Sequence, residues 1–202
     1  MKVIIVRHAQ TDDNIGDRLA SRTSDVLLNK EGIRQAEKLG AYLKHEKISH
    51  VYVSPQRRAV HTAEYILAHH GNVRVHHIED LKEQNMGELD GLPKAVIKEL
   101  RKKATDPWHL FKAKEGESYV ELQARAKNFF HGLVKKHPNN TVLVVSHGGT
   151  LGVLLLDILE KELTEENYRD NQPKNTEFTI LEISPEGYKK IHVLNSREHL
   201  DE

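Results

Sequence analysis

Cysteine is absent from the 202 residues. Its absence excludes disulfides, thiolate zinc sites, iron–sulfur clusters and cysteine nucleophiles. Net charge is absent too: 30 Lys and Arg balance 30 Asp and Glu. No protein-wide field draws the chain to nucleic acid or to an anionic membrane, although a local basic pocket stays compatible with this balance. Long apolar runs are missing. The longest, Leu151 to Leu159, is interrupted by Asp157 and is far too short to span a bilayer. Lys2 is followed only by the apolar Val3 to Val6 before Arg7, which does not make a signal peptide. Cytoplasm is the expected location. Internal repeats and low-complexity linkers are also lacking.

What is present suits a folded α/β domain. Hydrophobic residues are 38% and charged residues 30%, a composition that folds rather than stays disordered. Short runs rich in Val and Ile predict strands at Val3–Val6, Val51–Val53, Val73–Ile78, Thr141–Val145, Phe178–Ile183 and Ile191–Leu194. Helical patterns lie between them, near Lys30–His45, Gln56–His69, Lys94–Lys103, Tyr119–Lys136 and Gly149–Leu163. The last two strands join through Pro185-Glu186-Gly187, which predicts an antiparallel hairpin. The expected architecture is three-layer α/β/α: a mainly parallel six-stranded sheet with an antiparallel C-terminal edge hairpin. Residues 85–118 depart from the pattern. They read equally as a lid over one end of the sheet and as a surface helix with a loop.

Three of these strands end in polar clusters. Val3–Val6 runs into Arg7-His8. Val51–Val53 runs into Ser54-Pro55-Gln56-Arg57-Arg58. Thr141–Val145 runs into Ser146-His147-Gly148-Gly149. Ligands of parallel sheets bind outside the carboxyl ends of the strands, so neighbouring strands would bring two histidines and up to three arginines to one crevice. Ser54 suits an N-cap and Pro55 a first helical residue. Arg57 and Arg58 in the following turn oppose the helix dipole unless an anion binds there. Paired glycines at a helix start suit close approach of a phosphate. The glycine spacing is neither a Walker A motif nor a dinucleotide fingerprint. Two chemistries fit such a cluster: zinc binding, against which the arginines argue, and phosphoryl transfer to a neutral imidazole gripped by guanidinium groups.

Arg7-His8-Ala9-Gln10-Thr11 with Asn14, Ser54-Pro55-x-x-Arg58-Ala59-x-x-Thr62-Ala63, Leu81-Lys82-Glu83 with Gly87, and Ser146-His147-Gly148-Gly149 occur in this order. Together they resemble the histidine phosphatase superfamily, the group that contains cofactor-dependent phosphoglycerate mutase. Leu28-Asn29-x-x-Gly32-x-x-Gln35-Ala36 and Gly116-Glu117-Ser118 agree. Ala9 stands where that family most often has glycine, and Ala20-Ser21, after Arg18-Leu19, where it often has Gln-Gly.

The resemblance implies one domain over residues 1–202, with 85–118 as a lid or specificity insertion. It implies a metal-independent phosphomonoester phosphatase that works through a phosphohistidine on His8. Arg7, Arg58 and His147 would surround the phosphoryl group. Asn14 and the backbone near Ser21 and Gly148 would add hydrogen bonds. Glu83 would act as general acid and base, although nearby arginines favour its carboxylate form. No cofactor is implied. The partner would be a small phosphorylated substrate, with neither nucleic acid nor membrane; the oligomeric state is left open. Mutase activity is the alternative within the fold, and the segment Gln84 to Asp90, which lacks a cation, argues against it. A non-catalytic phosphate-binding scaffold would typically lack His8, Arg58, Glu83 or His147, and all four are present. The pairs His69-His70 and His76-His77 lack metal-site spacing and read as surface histidines. The basic run Lys98, Arg101, Lys102 and Lys103 reads as a solvated helix face.

Overall fold

The computed structural model describes every residue except Arg18, Ala20, Ser24 and Glu202. The strands are β1 (Lys2–Arg7), β2 (His50–Val53), β3 (Arg74–His77), β4 (Thr141–Ser146), β5 (Phe178–Ile183) and β6 (Lys189–Ser196). The helices are α1 (Asp12–Ile15), α2 (Lys30–Leu43), α3 (Arg57–Leu67), α4 (Lys94–Lys103), α5 (Tyr119–Lys136), α6 (Gly148–Ile158) and α7 (Glu165–Asn171). The six strands form one sheet in the order β3-β2-β4-β1-β5-β6. Its β3-β2, β2-β4 and β4-β1 pairings are parallel; β1-β5 and β5-β6 are antiparallel.

The sheet is buried on both faces, which explains why β1 reads as an unbroken apolar run. Ile4 and Val6 point to one face with Leu39 and Leu43 of α2 and Ala63 and Ile66 of α3. Val3 and Ile5 point to the other, against Phe130 and Leu133 of α5 and Leu151 and Leu154 of α6. Apolar side chains at helical spacing lock each layer in place, and burial of such a side chain contributes about 1.5–3 kcal/mol. The expected architecture therefore holds, with β1, β4 and β2 adjacent and parallel. That adjacency brings the three polar clusters to one end of the sheet.

Several boundaries differ from expectation. The second helical pattern starts at Arg57, with Gln56 as its N-cap. Ser54 is not the cap, although its Oγ accepts from Gln56 N (3.3 Å) and meets His147 Nε2 (2.7 Å). The helix after β4 stops at Ile158, and a separate helix, α7, follows. β3 is short and mostly exposed, as an edge strand is.

Residues 85–118 fold as a 3-10 turn at Gly87–Leu89, then α4, then a return loop. Met86, Leu89 and Ile97 pack with Leu19 and Phe111 in a small core of their own. The backbone N–H of Leu19 donates to Leu92 O (3.3 Å), which ties the excursion to the loop after β1. At its neck, Glu117 N donates to Asn85 O (2.8 Å). Gly87 has φ +53°, and a Cβ there would lie 2.1 Å from Lys114 O, so the turn requires glycine.

Near the C-terminus, His199 is buried beside Phe178 and Tyr42 and meets Thr176 Oγ1 at 3.1 Å. Burial, helped by Arg197 and Lys38 against Glu198 and Asp201, lowers its pKa from the ordinary 6.5 to about 4. Between these values the unfolded chain holds a proton that the folded chain refuses. Stability from this site is full above pH 6.5 and is lost as pH falls toward 4. Urea unfolding of His199→Gln should show a shallower loss of stability between pH 7 and 4 than the parent chain. Equal losses in both would contradict this assignment.

Candidate active site

The site is built at the carboxyl ends of β1, β4 and β2. His8 follows β1 directly, and its N–H donates to Ser146 O at the end of β4 (2.9 Å). The ring is buried, and Nδ1 lies 2.7 Å from Ala9 O. A carbonyl can only accept, so Nδ1 carries the hydrogen and Nε2 keeps its lone pair. Ala9 N donates to Thr62 Oγ1 (2.9 Å), and that hydroxyl donates to Arg58 O (2.7 Å). The turn carrying His8 is thus pinned to α3. Burial, then Arg58 and Arg7, push the His8 pKa well below the ordinary value, so the ring is neutral at pH 7.

His147 is fully buried, and its ring centre is 5.1 Å from that of His8. Its Nδ1 accepts from Arg58 Nε (3.2 Å), and its Nε2–H donates to Ser54 Oγ (2.7 Å). Burial and Arg58 lower its pKa strongly as well. Both ring nitrogens are therefore committed to the protein, and the ring holds Arg58 in orientation.

Arg58 is 1% exposed, whereas Arg57 points outward, 3.7 Å from exposed Asp25. Arg58 Nη2 also donates to Ser21 O (3.2 Å). Arg7 donates from Nη1 to Pro173 O (2.7 Å). Its Nε is a buried donor with no partner among the described residues. Burial lowers the pKa of both arginines, and Glu83 is the largest opposing influence in each case. An arginine starts so high that both remain cations.

Gly148 opens α6 beneath the Arg7 guanidinium: a Cβ there would lie 3.0 Å from Arg7 Cζ. Its N–H belongs to the first helical turn and has no intrahelical acceptor. The next two N–H groups go to Glu83. Gly149 N donates to Oε2 (3.0 Å) and Thr150 N to Oε1 (3.2 Å), while Gln84 N reaches Oε1 at 2.9 Å. A Cβ on Gly149 would sit 2.3 Å from Glu83 Oε1, so any side chain there would displace the carboxylate. The 81–83 backbone is tied down by Ser146 Oγ to Leu81 O and Thr150 Oγ1 to Lys82 O, both 2.7 Å.

Asn14 Oδ1 accepts from Thr11 N (3.0 Å) and from Asn175 Nδ2 (2.9 Å). Ser21 is fully buried, and its carbonyl also accepts from Gln56 Nε2 (3.0 Å). Arg18 and Ala20 lie outside the described residues.

Every residue expected at the site thus comes to one end of the sheet. Sequence reasoning did not assign Thr62, Ser54, Gln56 or Asn175 their supporting parts. Gln56 Oε1 accepts from Glu83 N (2.8 Å), so one side chain joins the 21–22 loop to the acid. Ser54 and Thr62 had a signal, their places in the second motif. The basic run on α4 also needs correcting. Lys98, Lys102 and Lys103 are exposed, but Arg101 turns inward over the rings of Phe111 and Tyr119. Its spacing put it at the margin of the apolar face that carries Ile97, where aromatic partners drew it in. Among the described residues no three His, Asp or Glu side chains converge as a metal site would require, and no helix is long and apolar enough to cross a membrane.

Residues 3–196 match the family model described as histidine phosphatase superfamily, branch 1. The chain is 31% identical over 156 residues to an uncharacterized phosphatase, PhoE, of Bacillus subtilis strain 168, covering 77% of this chain and 76% of that protein. It is 32% identical over 171 residues to a metal-independent phosphoserine phosphatase of Arabidopsis thaliana, covering 79% and 69% respectively. The solved structure of Bacillus stearothermophilus YhfR superposes with a TM-score of 0.88 at 25% identity, covering 98% of each chain.

Ser54 supplies the acceptor for the Nε2–H of a fully buried histidine. Ser54→Ala leaves that donor unsatisfied and should lower stability by about 1–3 kcal/mol in denaturant unfolding. An unchanged midpoint would contradict the assigned tautomer.

Proposed function

The chain belongs to the histidine phosphatase superfamily, and from that premise we propose that it is a metal-independent phosphatase of small phosphomonoesters. The reaction runs through a phosphohistidine on His8. One observation carries the reading: the Nδ1–H bond of His8 to Ala9 O leaves the Nε2 lone pair as the nucleophile. A neutral imidazole beside two buried guanidinium groups is suited to attack phosphorus.

His8 Nε2 attacks, the P–N bond forms and the bond from phosphorus to the leaving oxygen breaks. Glu83 gives its proton to that oxygen as it departs. The alcohol leaves and water takes its place. Glu83, now a carboxylate, removes a proton from the water as its oxygen attacks phosphorus. The P–N bond breaks, inorganic phosphate is released and His8 returns neutral. Arg7 and Arg58 balance the charge on the phosphoryl oxygens throughout, the role that metal ions fill in other phosphoryl-transfer enzymes. Arg7 Nε, the Gly148 N–H, Asn14 Nδ2 and the Ser21 segment complete the oxyanion cradle. His147 acts through Arg58. Phosphatase names on both quoted relatives support hydrolysis over mutase transfer.

Rapid quench after mixing with a phosphomonoester should trap an adduct that is acid-labile and base-stable. His8→Ala should abolish both the adduct and phosphate release. An adduct that persists in His8→Ala would overturn the proposed nucleophile. Glu83→Gln keeps the shape but not the proton, so phosphate release should fall about 10²–10⁴-fold. The loss should be smallest for phosphoesters whose leaving group needs no proton, such as p-nitrophenyl phosphate. Equal losses on alkyl and nitrophenyl esters would count against Glu83 as the general acid. Conversion of 3-phosphoglycerate to 2-phosphoglycerate without free phosphate would favour the mutase alternative.

A further inference from the structure

Gln56 occupies the N-cap of α3, the helix whose first turn carries Arg58. A side chain at an N-cap ordinarily accepts from an N–H of that first turn. The side chain of Gln56 makes no such bond. It is buried and spends its amide on two other elements of the site. Oε1 accepts from Glu83 N (2.8 Å), while Nε2 donates to Ser21 O (3.0 Å) and Arg22 O (3.3 Å). One end faces a donor and the other faces two acceptors, so only one orientation of the amide satisfies both.

The groups joined in this way carry separate parts of the chemistry. Ser21 O also accepts from Arg58 Nη2 (3.2 Å), so the loop after β1 is gripped by the same helical turn that holds the cation. Arg22 N donates to Gln84 O (3.2 Å), a second tie between that loop and the segment of Glu83. The Glu83 backbone is fixed at its carbonyl by Arg125 Nη2 (3.2 Å) and at its N–H by Gln56. Without Gln56 the carbonyl would stay clamped, but the N–H would lose its acceptor and the loop would lose its side-chain link to the acid.

We propose that Gln56 is a positioning residue that couples the Ser21–Arg22 loop to Glu83. The inference rests on the phosphatase reading, in which that loop faces the phosphoryl group and Glu83 faces the leaving oxygen. A phosphoryl group seated on the loop then also sets, through one amide, how far the acid stands from the oxygen it protonates. A misplacement of about 1 Å can cost about 10²-fold in rate, so this end of the bridge acts on kcat, whereas the loop end acts on KM.

The test measures phosphate release from glycerol 3-phosphate and from p-nitrophenyl phosphate, whose leaving group needs no proton. Gln56→Met keeps the length of the side chain and removes both ends of the bridge. It should lower kcat on glycerol 3-phosphate about 10- to 100-fold and kcat on the nitrophenyl ester by less than about threefold. The ratio of the two, taken on one preparation, is unaffected by any unfolded fraction. Gln56→Glu retains the acceptor for Glu83 N and loses the donors to the loop. At its own pH optimum it should recover most of that ratio, while KM rises on both esters. In a Glu83→Gln background, Gln56→Met should lower kcat on glycerol 3-phosphate by less than about threefold further, because the residue through which it acts is already disabled. Equal losses on the two esters, or losses that multiply in the double variant, would overturn the proposal. Should the parent release phosphate from neither ester, the phosphatase reading fails, and amide hydrogen exchange at Glu83 decides the coupling by itself. Added inorganic phosphate should slow that exchange several-fold in the parent and not in Gln56→Met; equal slowing in both would reject the coupling.

Discussion

A guanidinium group taken almost wholly out of water is the constraint around which this site is organised. Arg58 is 1% exposed, and a buried cation is costly unless its donors are met. The fold meets them from more than one element. His147 at the end of β4 offers Nδ1, the loop after β1 offers Ser21 O, and α3 holds the arginine itself at its first turn. Each answer imposes a further condition. His147 must be neutral with its hydrogen on Nε2, so Ser54 must be there to accept it. Arg7 is left with a buried Nε that has no partner among the described residues. The sum is a pocket whose donors outnumber its acceptors, and a phosphoryl group has the complementary deficit.

The same positive environment sets the state of His8. Burial and two guanidinium groups keep His8 neutral, and the Ala9 carbonyl selects which nitrogen is free. Glu83 is held by other means, on N–H groups in the first turn of α6. Its backbone is clamped further by Arg125, which donates to Glu83 O (3.2 Å) while paired with Glu117 (2.7 Å). Glu117 ends the excursion that carries Arg101. Glu83 and the 85–118 excursion are thus parts of one connected segment.

Much of this was legible in the sequence because the fold's chemistry is concentrated where strands end. Val3–Val6, Val51–Val53 and Thr141–Val145 each run straight into Arg, Ser or His, and those positions needed only adjacency of three strands to converge. Glu83 was legible through its motif, not through local physics. The supporting residues were not. Thr62 contacts Ala9, and Asn175 contacts His8 and Asn14, from 53 to 167 residues away in sequence, and no local pattern encodes such a pairing. Ser54 fits the rule for an N-cap, yet a buried imidazole claimed its hydroxyl and the helix began later, at Arg57. Arg101 was indistinguishable from the lysines around it until Phe111 and Tyr119 were seen beneath it.

The central claim is that the buried cations leave His8 neutral, with hydrogen on Nδ1 and a lone pair on Nε2. Nitrogen-15 NMR of the histidine rings at pH 7, assigned by comparison with His8→Ala, reports this directly. The account predicts a neutral imidazole with a protonated Nδ1 and an unprotonated Nε2. A signal for His8 with both nitrogens protonated, or with the hydrogen on Nε2, would contradict it.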